Sequence, residues 1–181
     1  MTHLNALQPT PSASFDDPLA ILSGCHDRIL LFCTQLERLG DYLMNNRCDQ
    51  DAIESARKIH RYFSTAGRYH HQDEEVDLFP VLIANDPSLV DLTDALQATH
   101  RELDNIWHRL DTVLLSLDNA DYSRLQHDIT QFIGLNRDHV TLENNELLPR
   151  AKSLLKHDEL ERLGESMAQR RGVDYHTNTR S

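Results

Sequence analysis

Two stretches of the chain carry the same arrangement of metal-binding side chains: His70-His-Gln-Asp-Glu74-Glu-Val-Asp-Leu-Phe-Pro80 and His139-Val-Thr-Leu-Glu143-Asn-Asn-Glu-Leu-Leu-Pro149. Each reads His-x-x-x-Glu, then two apolar residues and a proline ten positions after the histidine. On an α-helix, residues four apart lie about 40° apart around the axis and about 6 Å along it, so an imidazole and a carboxylate so spaced can reach one cation from one face. Two such helices facing each other supply two nitrogens and two carboxylates to a buried pair of metal ions. The proline also sets the frame: His70, not His71, stands ten residues before it, which pairs His70 with Glu74. With only ten glutamates and eleven histidines in 181 residues, a doubled motif with a matched proline is not an effect of composition.

The donor types restrict the metal. Imidazole and carboxylate without thiolate favour iron, manganese or zinc over copper(I) or an iron–sulfur cluster. Two carboxylates shared between two cations, with a pair of imidazoles on each, leave iron short of its usual coordination number. A bridging oxide or hydroxide and an open position for a diatomic ligand then remain.

The elements that must position these groups are legible in the turns and caps. Asp17-Pro18 opens a first helix running to about Met44, with Leu22, Cys25, His26, Ile29, Cys33, Leu36 and Leu43 on one stripe. A second begins near Asp51 and ends at Pro80 or a few residues later. A third follows the Asn85-Asp86-Pro87 turn to about Leu117, and a fourth follows Asp118–Asp121 and kinks or stops at Pro149. A fifth, shorter helix is expected from Asp158 to about Arg170, with Gly172 past its end. The midpoint of His26 and His70 falls at position 48, that of Glu74 and His100 at 87, and that of His100 and His139 between 119 and 120, each inside a turn. In an antiparallel hairpin, residues equidistant from the turn lie at one height. The expected layer is about 30 Å from the first and third turns and about 20 Å from the second. The expected fold is therefore all-α: an up-down-up-down antiparallel four-helix bundle over residues 18–155, after a flexible arm at 1–17 and before a short C-terminal helix and tail at 156–181.

Taken singly, His26 or His100 reads as a satisfied core histidine, and each His-x-x-x-Glu as a surface pair. The phase of the helices argues otherwise, because His70 lies seven after Phe63 and His139 seven after Phe132. Six titratable groups in one apolar layer must be paired or bound to metal. The candidate metal ligands are thus His26, His70, Glu74, His100, His139 and Glu143, with Asp104, four after His100, as a candidate extra ligand. His71 with Glu75 is turned about 100° from His70; it reads as a supporting pair, with direct ligation by His71 left as an alternative. His3, His60, His108, His127, His157 and His176 lie in tails, near helix ends or too far along a helix to join the layer.

The net charge of −11, with no basic stripe, points away from nucleic acid, and no apolar run approaches a membrane span. Cys25, Cys33 and Cys48 form no C-x-x-C and leave one over in any pairing. With no signal peptide, the expectation is a soluble, cytoplasmic protein with reduced thiols.

From about Pro18 to Pro149 the chain resembles the hemerythrin family, the HHE cation-binding domains, in its repeated His-x-x-x-Glu with trailing Leu-Phe-Pro or Leu-Leu-Pro. The resemblance implies a four-helix bundle around a non-haem di-iron centre, with His26, His70, His100 and His139 as terminal ligands and Glu74 and Glu143 bridging. Oxygen-carrying members present a His-x-x-x-His on the third helix; the matching positions here are His100 and Asp104, which points away from simple reversible oxygen carriage. The pattern is closer to bacterial relatives linked to iron–sulfur repair and to oxygen or nitric oxide responses, although the arm before Pro18 lacks their cysteine-bearing module. Two functions follow. The favoured one is a binding or sensing module whose partner is oxygen, nitric oxide or the redox and iron state. The alternative is a di-iron oxidoreductase or iron–sulfur-repair protein acting on peroxide or nitric oxide. The oligomeric state is not written in the residues.

Overall fold

A computed structural model describes residues 14–175; most of the expected N-terminal arm, with His3, and the end of the tail, with His176, lie outside them. Among the described residues all regular structure is helical. Helix α1 (Pro18–Asn45) starts where Asp17 accepts a hydrogen bond from the Ala20 amide at 3.0 Å and Pro18 needs no amide partner. It buries Leu22, His26, Ile29, Cys33, Leu36 and Leu43 as the stripe requires, while Cys25 is half-buried. Asp49 caps α2 (50–85) through the Ala52 amide, two residues before the expected start. Asp86 caps the 3₁₀ turn Pro87–Leu89 that leads into α3 (Val90–Leu114), and Asp121 caps α4 (122–154) through the Arg124 amide. Helix α5 (His157–Arg170) ends before Gly172, whose φ of 65° is the left-handed conformation that glycine adopts cheaply after a helix.

Neither proline ends its helix. Pro80 and Pro149 cannot donate to the carbonyl four residues back, and their rings crowd it. In α2 and α4 the chain widens by π turns just ahead of each proline, at Asp73–Leu78 and Glu143–Leu147. There the Phe79 amide reaches the Glu74 carbonyl and the Leu148 amide the Glu143 carbonyl, five residues back in each case. A further π turn, Phe63–Gly67, precedes His70. Thus each motif glutamate sits inside a π turn, the kind of helix irregularity that gathers at functional sites.

Helix α1 packs on α2 and α4, and α3 on α2 and α4, which closes a four-membered ring of helices; α5 lies against α1 and the π turn Asp73–Leu78. The apolar interior falls into two clusters. One contains Ile29, Phe63, Leu103 and Phe132, the other Leu22, Leu78, Phe79, Leu96 and Leu147. Fully burying such a side chain contributes about 2 kcal/mol, which lets the fold carry a costly polar layer between them. No helix among the described residues is long and apolar enough to cross a membrane.

Candidate metal centre

Each of the four ring helices crosses from one apolar cluster to the other through a buried polar residue: His26 on α1 between Leu22 and Ile29, His70 and Glu74 on α2, His100 on α3 between Leu96 and Leu103, and His139 and Glu143 on α4. All six are at most 3% exposed. Their donor atoms form two groups, His26, His70, Glu74 and Glu143, and Glu74, His100, His139 and Glu143, each with its atoms within 4.8 Å of one another. The two groups share both carboxylates.

The carboxylate orientations make that sharing specific. Glu143 turns Oε2 to His26 Nε2 at 3.0 Å and Oε1 to His139 Nε2 at 3.1 Å. Glu74 turns Oε1 to His70 Nε2 and Oε2 to His100 Nε2, both at 3.5 Å. Although these atoms are close, Nε2 of His26 and His70 and all four oxygens of Glu74 and Glu143 have no aligned hydrogen bond. The Nε2 atoms of His100 and His139 face each other at 2.9 Å, where one proton at most can lie between two lone pairs. Buried polar atoms so placed are costly unless they converge on a third body. A pair of cations satisfies them all, so the residues fit a metal pair.

Two further contacts fix the histidine tautomers. Asn144 Oδ1 accepts from His26 Nδ1, and Glu75 Oε1 accepts from His100 Nδ1, both at 2.7 Å. With Nδ1 protonated, Nε2 carries the free lone pair toward the centre. Asn144 and Glu75 each follow the motif glutamate directly, so both repeats use the same position to orient a histidine on another helix. The sequence placed Glu75 in a supporting pair with His71, where the structure sets it on His100, and left Asn144 unread because a 3.6-residue stripe places that position off the inward face. Sequence reasoning also missed Asp73. This fully buried side chain is held by Arg170 and by Arg171, whose Nη2 lies 2.7 Å from Asp73 Oδ2, while Arg170 also reaches Asp77 at 2.5 Å.

The electrostatics of the layer follow from its burial. Burial, reinforced for His100 by the neighbouring His139, lowers the basicity of His70 and His71 well below the usual imidazole range and that of His100 to about 3. Burial and then the facing Glu143 push Glu74 well above the ordinary carboxylate range. Burial alone would raise Glu143 too, but the approaching imidazoles of His139 and His26 outweigh it and hold Glu143 low. The two facing carboxyls are thus driven in opposite directions, Glu74 up and Glu143 down.

Two outcomes are expected for chelated protein. It should stay helical by circular dichroism, because the apolar clusters exist without the layer; a coil spectrum would make metal a folding requirement. Its stability should fall on acidification from the ordinary imidazole value of 6.5 toward about 3. In that window the unfolded chain protonates His70, His71 and His100 and the folded chain does not, so protons favour unfolding. The raised carboxyls of Glu74, Glu75 and Asp104 act oppositely above their ordinary values, but only that of Glu74 is raised strongly, against three strongly lowered imidazoles and a lowered Glu143. Thermal melts across that range check the sign, and a flat profile would contradict it.

Asp104 does not join either donor group; its side chain is exposed. His71, in contrast, is half-buried and lies beside His100 and His139. His157 and Glu161 form the expected surface pair at 3.3 Å, and His60 pairs with Asp111 at 2.7 Å, away from the layer. Cys25, Cys33 and Cys48 are unpaired, and burial pushes the Cys33 thiol up to about 12, which makes it inert.

Comparison with known proteins agrees with this geometry. The model of the hemerythrin HHE cation binding domain matches residues 17–151, the span that contains all six donors. An uncharacterized protein of Haemophilus influenzae is 33% identical over 172 residues, covering 94% of this chain and 99% of its own length. The chain belongs to the hemerythrin HHE cation-binding family.

Proposed function

We propose that the chain is a non-haem di-iron protein that binds or senses oxygen, nitric oxide or the cell's redox and iron state at a carboxylate-bridged centre. The observation that carries this reading is the pair of buried donor groups that share Glu74 and Glu143, each carboxylate directing one oxygen to each group. Donors without thiolate, together with the family, support iron, with an oxo or hydroxo bridge completing the pair. The mirrored turns support an up-down-up-down course for α1 to α4, and three unpaired cysteines support a cytoplasmic setting.

In this reading the residues have separate tasks. His26, His70, His100 and His139 give neutral nitrogens, and Glu74 and Glu143 offset the cationic charge. Asn144 and Glu75 hold two of the imidazoles in the ligating tautomer. The flanking leucines and phenylalanines shield the layer from water.

The test is anaerobic reduction of iron-loaded protein followed by exposure to oxygen or to nitric oxide. The expected result is one stoichiometric optical change with either gas and no sustained consumption of an electron donor. Sustained turnover of peroxide or nitric oxide would replace this reading with a di-iron oxidoreductase. An iron-loaded protein with no optical response to any of these would overturn both.

A further inference from the structure

Arg171, the first residue after α5, sits on the seam between α1 and α2. Its guanidinium lies beside the Cys25 thiol, 5.6 Å from the centre of the Tyr69 ring, and 2.7 Å from Asp73 Oδ2. Those three neighbours stand immediately before His26, His70 and Glu74 in the chain. His26, His70 and Glu74 all belong to the first donor group. The guanidinium therefore covers the seam beside that group. It is itself 20% exposed, while the three donors and Asp73 are buried.

What holds the guanidinium there is α5, the shortest of the five helices. Its large buried side chains are Leu163 and Met167, at the edge of the cluster that contains Leu22 and Leu78. Its remaining ties to α2 are polar: Arg170 to Asp73 and Asp77, and Ser166 to Asp77. Elsewhere on α5, Gly164 packs so closely on the chain before α1 that a Cβ there would overlap the Phe15 carbonyl. An element with few buried apolar side chains and part-exposed polar ties opens more readily than the bundle beneath it. The ring helices cannot part without disrupting both apolar clusters, whereas undocking of α5 disturbs the edge of one. Undocking also takes two guanidiniums away from Asp73 and Asp77, which leaves negative charge at the seam to attract a cation.

We propose that α5 and Arg171 form a gate: metal ions enter and leave the layer at the seam between α1 and α2 when α5 undocks and carries the Arg171 guanidinium away. The gate sets the rates of loading and release and leaves the ligand set unchanged. This rests on the metal-pair reading of the site.

The experiment is loading of chelated protein with cobalt(II), followed by visible absorption, and release of cobalt from the loaded protein into excess chelator. Wild type is compared with Arg171→Ala, Gly164→Ala and Arg109→Ala. Gly164→Ala pushes α5 away from Phe15 and leaves the arginines and the donors intact. Arg109→Ala removes the guanidinium that holds buried Asp128 at 2.7 Å between α3 and α4, so it is a like lesion away from the seam. Arg171→Ala should load and release cobalt roughly tenfold faster or more, because loss of a partner of buried Asp73 disfavours the docked state alone. Gly164→Ala should raise both rates too. Both variants should still hold two ions, with an affinity that changes less than either rate, and Arg109→Ala should match wild type. Wild-type rates in Arg171→Ala, faster release without faster loading, or an equal acceleration in Arg109→Ala would overturn the gate. If wild type itself takes fewer than two ions, the metal-pair reading fails and the gate with it.

Discussion

Glu143→Ala should strip both metal ions from the centre, and Glu74→Ala should do the same, because each carboxylate gives one oxygen to each donor group. Losing a carboxylate that serves one metal would leave the other in place; losing a shared one cannot. Glu75→Ala is the internal control. Glu75 is part-exposed and touches the layer only through His100 Nδ1, so its loss should keep both ions and weaken binding by roughly 10–100-fold. Asn144→Ala should act alike through His26. Metal content of the purified variants checks this. Full metal loss in Glu75→Ala with Glu74→Ala unaffected would show that the other histidine–glutamate frame holds the metal.

Asp73→Ala should destabilise the metal-free fold by about 3 kcal/mol, as expected when one partner of a buried ion pair is removed. Asp73 has no exposed surface, and its two guanidinium partners on and just after α5 are 15% and 20% exposed. Some of their charge returns to water in the variant, which places the effect at the lower end for such pairs. Asp73 opens the π turn that carries Glu74, and Ser166 on α5 bonds Asp77 in the same turn at 2.8 Å. Helix α5 therefore anchors a ligand-bearing turn. Chemical denaturation of chelated wild type and variant measures the difference. A loss below about 1 kcal/mol would mean that the clamp is solvated and contributes little.

Much of this arrangement was legible in the residues. Asp17 and Asp86 announce their helices because a carboxylate at a helix start meets otherwise unpartnered amides; Asp49 and Asp121 read only as turn residues, and the structure shows that they too are caps. The layer could be read because turn positions and a fixed rise per residue set its height, without knowledge of side-chain packing. What escaped depends on departures from the 3.6-residue period. The sequence placed a helix end at Pro80 or shortly after it and a kink or stop at Pro149, but not the π turns ahead of each proline, where the Phe79 and Leu148 amides reach the carbonyls of Glu74 and Glu143 five residues back and both helices continue. The same widening brings His71 toward the layer and buries Asp73, which a regular stripe would not do. Asp104 failed to join the donors for the converse reason: spacing on a regular helix gives a face, but not the depth at which a short side chain ends. The clamp from Arg170 and Arg171 was invisible because it links residues about a hundred positions apart through tertiary packing alone.

Metal stoichiometry tests the central claim most directly. Chelated protein reloaded with iron(II) under anaerobic conditions, desalted and analysed for metal against protein concentration, should hold two ions per chain, and none in the Glu74→Ala, Glu143→Ala double variant. One ion per chain, or two that survive loss of both glutamates, would contradict a carboxylate-bridged pair.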